Sequence, residues 1–517
     1  MKLAPLQSLA LALILSACGG GSDSSNSPAS ESSAANSSST QVSSSSSSSS
    51  SAVESSSSSS PTELVVMRYE AEDADLDSGL RVITSVPGYS GTGYVTGFVD
   101  NSNNTPTKNA VWSVHAAPSF YRINIGIHSP EEKGFNLIID GRVTSGMVSP
   151  GADFQQVSAG RVWLEGTHEI AIGGGWGWYD VDYLELVPLT ELPAPAPLPA
   201  ELVNKNATPE AQQLFAYLIS QYGKTTLSGQ QDVTGIDYIA GKTGELPAIY
   251  SFDLLNYSPL AVNAVGLPAK ETTEDFINRI SSVGHIASLM WHWHSPMHAK
   301  STVNPCDQAS CWWNSFYTEH SNFNLAEALA APTSVEYQAL ISDIDAIAIQ
   351  LKKVQAADIP VLWRPLHEAD GEWFWWGASG AENFKALWRI MYERLTVQHG
   401  INNLIWVWTN ESALWYPGDD VVDIVSIDAY PADKRDLLTG IWDQMFEHFD
   451  GKKPIALTEF GGVPFIAEMQ AAGVWWLYFA SWTDQYEQLG PQKMTDAELN
   501  DIYTAEEVIT LDEVELP

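Results

Sequence analysis

Eight short apolar runs recur near residues 225–230, 246–252, 286–291, 359–366, 403–409, 422–427, 453–458 and 474–480 of this 517-residue chain. Stretches with helical spacing lie between them, such as Val335 to Ala357 and Ala381 to Gln398. Strand and helix in strict alternation favour a parallel sheet, because parallel neighbours need a long crossover and a helix supplies it. Eight such units are the number that closes a (β/α)8 barrel, typically of roughly 250 residues. The polar or ionisable residues that end the runs then gather on one rim: His292, Glu368, Asn410, Asp428, Tyr430, Glu459 and Trp482. Barrel chemistry sits at that rim.

The chain is long enough for a second folded unit ahead of the barrel. Residues 64–189 change rhythm to short alternating segments, such as Tyr121 to Ile127 and Phe135 to Ile139, bounded by Gly, Pro, Asn or Asp. That pattern predicts an all-β sandwich of jelly-roll-like type, with Asp140-Gly141 as a hairpin turn. Residues 190–206, with Leu192-Pro-Ala-Pro-Ala-Pro-Leu-Pro199, read as a stiff linker to a barrel over 207–510.

The N-terminal residues speak to compartment. Lys2 and the apolar stretch Leu9 to Leu15 make a short signal pattern over 1–18, too short for a membrane span of about 20 residues. The string Leu15-Ser-Ala-Cys18 resembles a bacterial lipoprotein signal, in which Cys18 becomes the lipidated N-terminus; Gly19 in place of Asp favours the outer membrane. Residues 19–63 are dominated by serine and cannot bury enough apolar surface to offset ordering, so they are expected to act as a flexible tether. In an oxidising compartment Cys306 and Cys311 are expected to form a small disulfide, since no ligand-spaced His or Cys accompanies them. A net charge of −38 argues against nucleic acid and suits a neutral polymer as partner, taken up by a monomer.

Two carboxyl groups carry the chemical argument. Arg364-Pro-Leu-His-Glu368 ends one apolar run and leads into Gly371-Glu-Trp373-Phe-Trp-Trp-Gly377, so Glu368 sits in an aromatic, partly dry setting. Desolvation disfavours the charged carboxylate and raises its pKa, which suits a general acid near neutral pH. Ninety-one residues on, Lys453 to Glu459 places a second Glu at the end of another apolar run. Two such groups suggest glycoside hydrolysis.

The strings Leu227-Ser-Gly-Gln230, Trp291-His-Trp-His294, Arg364 to Glu368, Trp373 to Gly377, Asp428-Ala-Tyr430 and Thr458-Glu-Phe-Gly461 together resemble glycoside hydrolase family 26, whose best-known members are β-mannanases. The resemblance implies Glu368 as acid/base at the end of the fourth strand and Glu459 as nucleophile at the end of the seventh. It implies a hydrogen bond from Tyr430 to Glu459, and binding roles for His292, His367, Asp428, Trp373 and Trp482. Arg364 is expected to pair with a neighbouring carboxylate, while Trp375, Trp376, Trp475 and Trp476 suit packing equally well. The expected activity is endo-β-1,4-mannanase on mannan, glucomannan or galactomannan, and no cofactor is needed for it. An exo-acting mannobiohydrolase, a β-1,3-xylanase, a mixed-linkage β-glucanase and a non-catalytic glycan-capture lipoprotein are the competing readings.

Tyr69-Glu-Ala-Glu-Asp-Ala74 and Trp176 to Glu185 make the first unit similar to a family 35 carbohydrate-binding module. That likeness implies a structural calcium ion on Glu70, Glu72 and Asp182, ligands of the hard oxygen type such a cation takes. It also implies sugar stacking on Trp176 and Trp178.

Overall fold

A computed structural model of the chain describes residues 65–99, 107–297, 312–431, 433–483 and 490–516. The lipoprotein signal with Cys18, the serine-rich tether and the Cys306–Cys311 pairing all lie outside the described residues. Among the described residues, no helix is long and apolar enough to cross a membrane.

The first unit is nine strands joined into one antiparallel sheet around a single apolar core. Two long strands, Asn109–His128 and Gln155–Gly173, form its spine, and the final strand, Asp180–Leu189, lies against the first of them. Ile123, Ile125 and Ile127 alternate along one face and are fully buried, as the period-two spacing predicts. Strands Lys133–Ile139 and Arg142–Val148 pair with Ile139 opposite Arg142, which leaves Asp140 and Gly141 as a two-residue turn. Both turn residues have positive φ, 50° and 82°, the geometry that matches the right-handed twist of a hairpin.

The second unit is a closed barrel of eight parallel strands: Gly229–Gln230, Ile249–Asp253, Ile286–Trp291, Val361–Pro365, Leu404–Thr409, Ile424–Ala429, Ile455–Phe460 and Phe479–Ser481. Each begins within one of the eight apolar runs, and four of them extend one or two residues past its end. Strands three to seven are buried at every position, because helices cover the outside and side chains fill the inside. The two helical patterns become Val335–Gln355, capped by Ser334, and Ala381–Tyr392, which continues as a π-helical turn over Glu393–Gln398.

The two units are docked, not merely tethered. Barrel helix Thr439–Phe449 packs on strand Gln155–Gly173, where Arg161, 3 % exposed, forms an ion pair with Asp443 at 2.9 Å. The Arg161 guanidinium also donates to the Gly473 carbonyl, and its backbone N–H donates to the Thr439 hydroxyl at 2.8 Å. Gly160 (φ 113°) lets the chains approach this closely, since a Cβ there would lie 2.6 Å from that hydroxyl oxygen. Linker residue Ala196 donates its N–H to Asp450 at 2.8 Å, so the proline-rich segment runs along the barrel surface.

Candidate active site

Local backbone irregularities aim the two glutamates. Between strands six and seven, Ile427 pairs with Leu457 but Asp428 pairs with Glu459, so Thr458 is an extra residue in the seventh strand. Such a bulge re-aims the side chains beside it. The Thr458 hydroxyl then donates to Asp428 Oδ1 at 2.7 Å, fixing one acid of the site. Past the fourth strand, Leu366 and Glu368 both adopt left-handed backbone, with φ of 54° and 53°. For non-glycine residues that conformation is held against strain by its surroundings, here by Glu368 N–H on the Thr409 carbonyl (3.0 Å) and Trp376 Nε1 on the His367 carbonyl (2.9 Å).

One carboxylate oxygen each of Glu368, Asp428 and Glu459 lie within 4.8 Å of one another. Arg364, inside the fourth strand and 2 % exposed, donates from Nη1 to Asp428 at 2.8 Å and from Nη2 to Glu459 Oε1. The Tyr430 hydroxyl donates to the other oxygen, Glu459 Oε2. Three acids this close could hold a cation, but a guanidinium bonded to two of them already supplies the positive charge. Trp373 Nε1 donates to Glu368 Oε2 at 2.9 Å.

These contacts separate the two glutamates electrically. Burial, then the charges of Asp428 and Glu459, push the Glu368 carboxyl well above the usual range, with Arg364 and Trp373 opposing weakly. Burial and Asp428 raise Glu459 too, to about 7, with Arg364 and Tyr430, which bond to it directly, opposing them. The proton shared across this cluster therefore rests on Glu368, and Glu459 is the group left ionised. Arg364 keeps its charge: burial opposes it, and Asp428 and Glu459 outweigh burial.

His292 follows the third strand, and its Nδ1 lies 2.6 Å from Asp253 Oδ2 at the end of the second. Asp253 also accepts the His292 backbone N–H at 3.1 Å, so it fixes both ring and chain. With Nδ1 donating to Asp253, His292 Nε2 is free to accept from His367 Nε2, 3.1 Å away. His367 is 1 % exposed, and burial holds it neutral against the His292 ring. Trp482 follows the eighth strand and packs with Met290 and Tyr430, its ring 6.1 Å from that of His292. Trp375, Trp376 and Trp476 are core residues, while Trp475 is partly buried.

The structure thus brings Glu368, Glu459, Asp428, Tyr430, His292, Trp373 and Trp482 to one rim. Asp253 was missed in the sequence, although an acid closing the run Ile249 to Phe252 is a usable signal. Thr458 stands in one of the quoted strings, but its role was not readable there, because the bulge that makes it useful depends on a partner strand.

In the β unit, the Ser90 hydroxyl donates to Glu70 at 2.6 Å and the Ser90 N–H to both Asp182 oxygens at 2.9 and 3.0 Å. The Thr92 N–H and hydroxyl donate to Glu72 Oε1. The other Glu72 oxygen is buried without a hydrogen-bond partner among the described residues. Burial, and the charges of Glu70 and Glu72, push the Asp182 carboxyl up to about 6. Glu70 and Asp182 thus meet at Ser90 and Glu72 at Thr92, and carboxylates are the ligand type a hard cation takes. Of the two tryptophans, Trp178 is 63 % exposed, whereas Trp176 packs its ring over Gly134.

Comparison with known proteins agrees with this architecture. The model of glycosyl hydrolase family 26 matches residues 203–513, and that of carbohydrate binding module family 35 matches residues 67–189. A mannan endo-1,4-beta-mannosidase of Thermothelomyces thermophilus is 40 % identical over 451 residues, 86 % of this chain and 90 % of that protein. Mannan endo-1,4-beta-mannosidase B of a Piromyces species is 31 % identical over 86 % of this chain and 77 % of its own length. Among solved structures, a Podospora anserina GH26-CBM35 beta-(1,4)-mannanase is 39 % identical with a TM-score of 0.60, covering 87 % of this chain and 98 % of that one.

Proposed function

The chain belongs to glycosyl hydrolase family 26, and we propose that it is a retaining endo-β-1,4-mannanase acting on mannan, glucomannan or galactomannan. The observation that carries the mechanism is the approach of Glu368 and Glu459 to within 4.8 Å. Retaining glycosidases place their carboxyls about 5–5.5 Å apart, whereas inverting ones leave about 6.5–9.5 Å for a water.

In the first step Glu459 Oε attacks the anomeric carbon of the mannosyl residue while Glu368 gives its proton to the departing glycosidic oxygen. The carbon–oxygen bond to the leaving sugar breaks and a glycosyl ester to Glu459 forms. In the second step Glu368, now a carboxylate, takes a proton from water, whose oxygen displaces Glu459. Arg364 and Tyr430 orient the nucleophile and His292, held by Asp253 and His367, borders the reacting sugar. Asp428 fixes Arg364, and the rings of Trp373 and Trp482 offer flat faces to the C–H surface of pyranose rings. Mannohexaose and galactomannan test the activity. Internal cleavage to mixed short oligosaccharides is expected, and disaccharide alone from the first minutes, or an untouched substrate, contradicts it.

The family 35 module is proposed to bind the same polymer through Trp178, with a structural calcium ion on Glu70, Glu72 and Asp182. Bound calcium would neutralise the crowded acids there; the module's own Ser90 and Thr92 hold their orientation. Chelation of the full chain is expected to lower the module's melting temperature by roughly 5 °C. No change on chelation would remove the ion. The Leu15 to Cys18 string supports attachment to an outer membrane through a lipid on Cys18; absence of palmitate labelling would end that reading.

A further inference from the structure

The β module is wired to the loop that carries Glu368. Its turn after strand Asn109–His128 reaches the barrel rim, where Glu132 Oε2 accepts the Ser412 hydroxyl at 2.7 Å. The Ser412 backbone N–H donates to Asp370 Oδ2 at 2.8 Å, and the Glu411 N–H donates to the same oxygen at 2.7 Å. Asp370 lies two residues past Glu368, and its own N–H donates to Asn410 Oδ1 at 3.0 Å. Glu368 and Glu372, on either side of Asp370, both have left-handed backbone, with φ of 53° and 57°. A strained loop of this kind keeps its shape only while its surroundings hold it. Asp370 is the anchor within the loop, Ser412 is bonded to that anchor, and the module holds Ser412.

We infer that Glu132 is a positioning residue for the acid/base: a side chain of the accessory module that, through Ser412 and Asp370, holds the Glu368 carboxyl at the angle needed to protonate the leaving oxygen. The module is then part of the catalytic apparatus for every substrate, including those too short to reach Trp178. Its docking does not depend on Glu132, because Arg161 and Asp443 hold the two units together elsewhere. The inference rests on Glu368 being the acid/base.

The test uses the full chain and two substrates, a short manno-oligosaccharide and a dinitrophenyl β-mannobioside whose leaving group needs no proton. Glu132→Ala is expected to lower kcat/KM on the oligosaccharide about tenfold and on the aryl substrate less than about twofold, as a small misplacement of a proton donor would. Glu132→Gln keeps an oxygen that accepts from Ser412 and is expected to restore most of the loss. The Glu132→Ala/Ser412→Ala double variant is expected to be no worse than either single one. Equal loss on both substrates, or none on the oligosaccharide, overturns the inference. Glu368→Ala assayed on the same pair separates the two claims. If it shows no difference between leaving groups, the acid/base reading falls and takes the inference with it; if it does and Glu132→Ala does not, the inference alone falls.

Discussion

Glu459→Ala is expected to lose mannan hydrolysis by roughly four to six orders of magnitude, the scale seen when an essential nucleophile is removed. The carboxyl lies in the seventh strand, 2 % exposed, with one oxygen on Arg364 and the other on Tyr430. Nothing adjacent can replace it: Asp428 is held by Arg364 and Thr458. The fold should survive, since Arg364 keeps Asp428 as a partner and one like charge leaves a crowded cluster. Circular dichroism of the variant is therefore expected to match the parent. Azide, a small anion able to enter the vacated space, should restore turnover of an activated aryl mannoside and give the α-mannosyl azide. A variant that keeps a tenth of the parental rate on mannan would show that another group attacks the sugar.

Glu368→Ala is expected to fall about 10²- to 10⁴-fold in kcat/KM on mannan, the usual contribution of a general acid, and far less on an aryl substrate with a good leaving group. The sign of the pH effect follows from the same geometry. Glu368 works in its protonated form, and burial with Asp428 and Glu459 holds its pKa above the ordinary carboxylate range. Activity on mannan is therefore kept above the pH at which a free glutamate ionises, and falls as pH rises through the raised pKa. The alanine variant should lose this alkaline limb on the aryl substrate and keep the acid limb, which belongs to Glu459. An alkaline limb unchanged by the substitution would assign it to a different group.

Much of this molecule was legible in the chain because its two signals are local. Burial on both faces makes the barrel strands read as apolar runs, and the residue that ends each run is the residue the fold sends to the rim. The Asp140-Gly141 turn was readable for the same reason, since both residues tolerate the positive φ it needs. What escaped depends on partners far apart in sequence. Thr458 enters the site only because a bulge against Ile427 and Asp428 shifts the register. Asp253 orients His292 across 39 residues, and Glu132 meets Ser412 across 280. Arg161 meets Thr439 of the barrel helix across 278. Alternation and composition say which face of an element is buried, but not which other element buries it.

Glu368 and Glu459 lie at the spacing that a double displacement across one sugar needs. Proton NMR of mannohexaose during the first minutes of hydrolysis, before mutarotation, reads this directly from the anomeric signal of the newly formed reducing end. Double displacement releases the β-anomer first, with the α-anomer growing in later; an α-anomer formed first would mean a single displacement by water and rule out Glu459 as nucleophile.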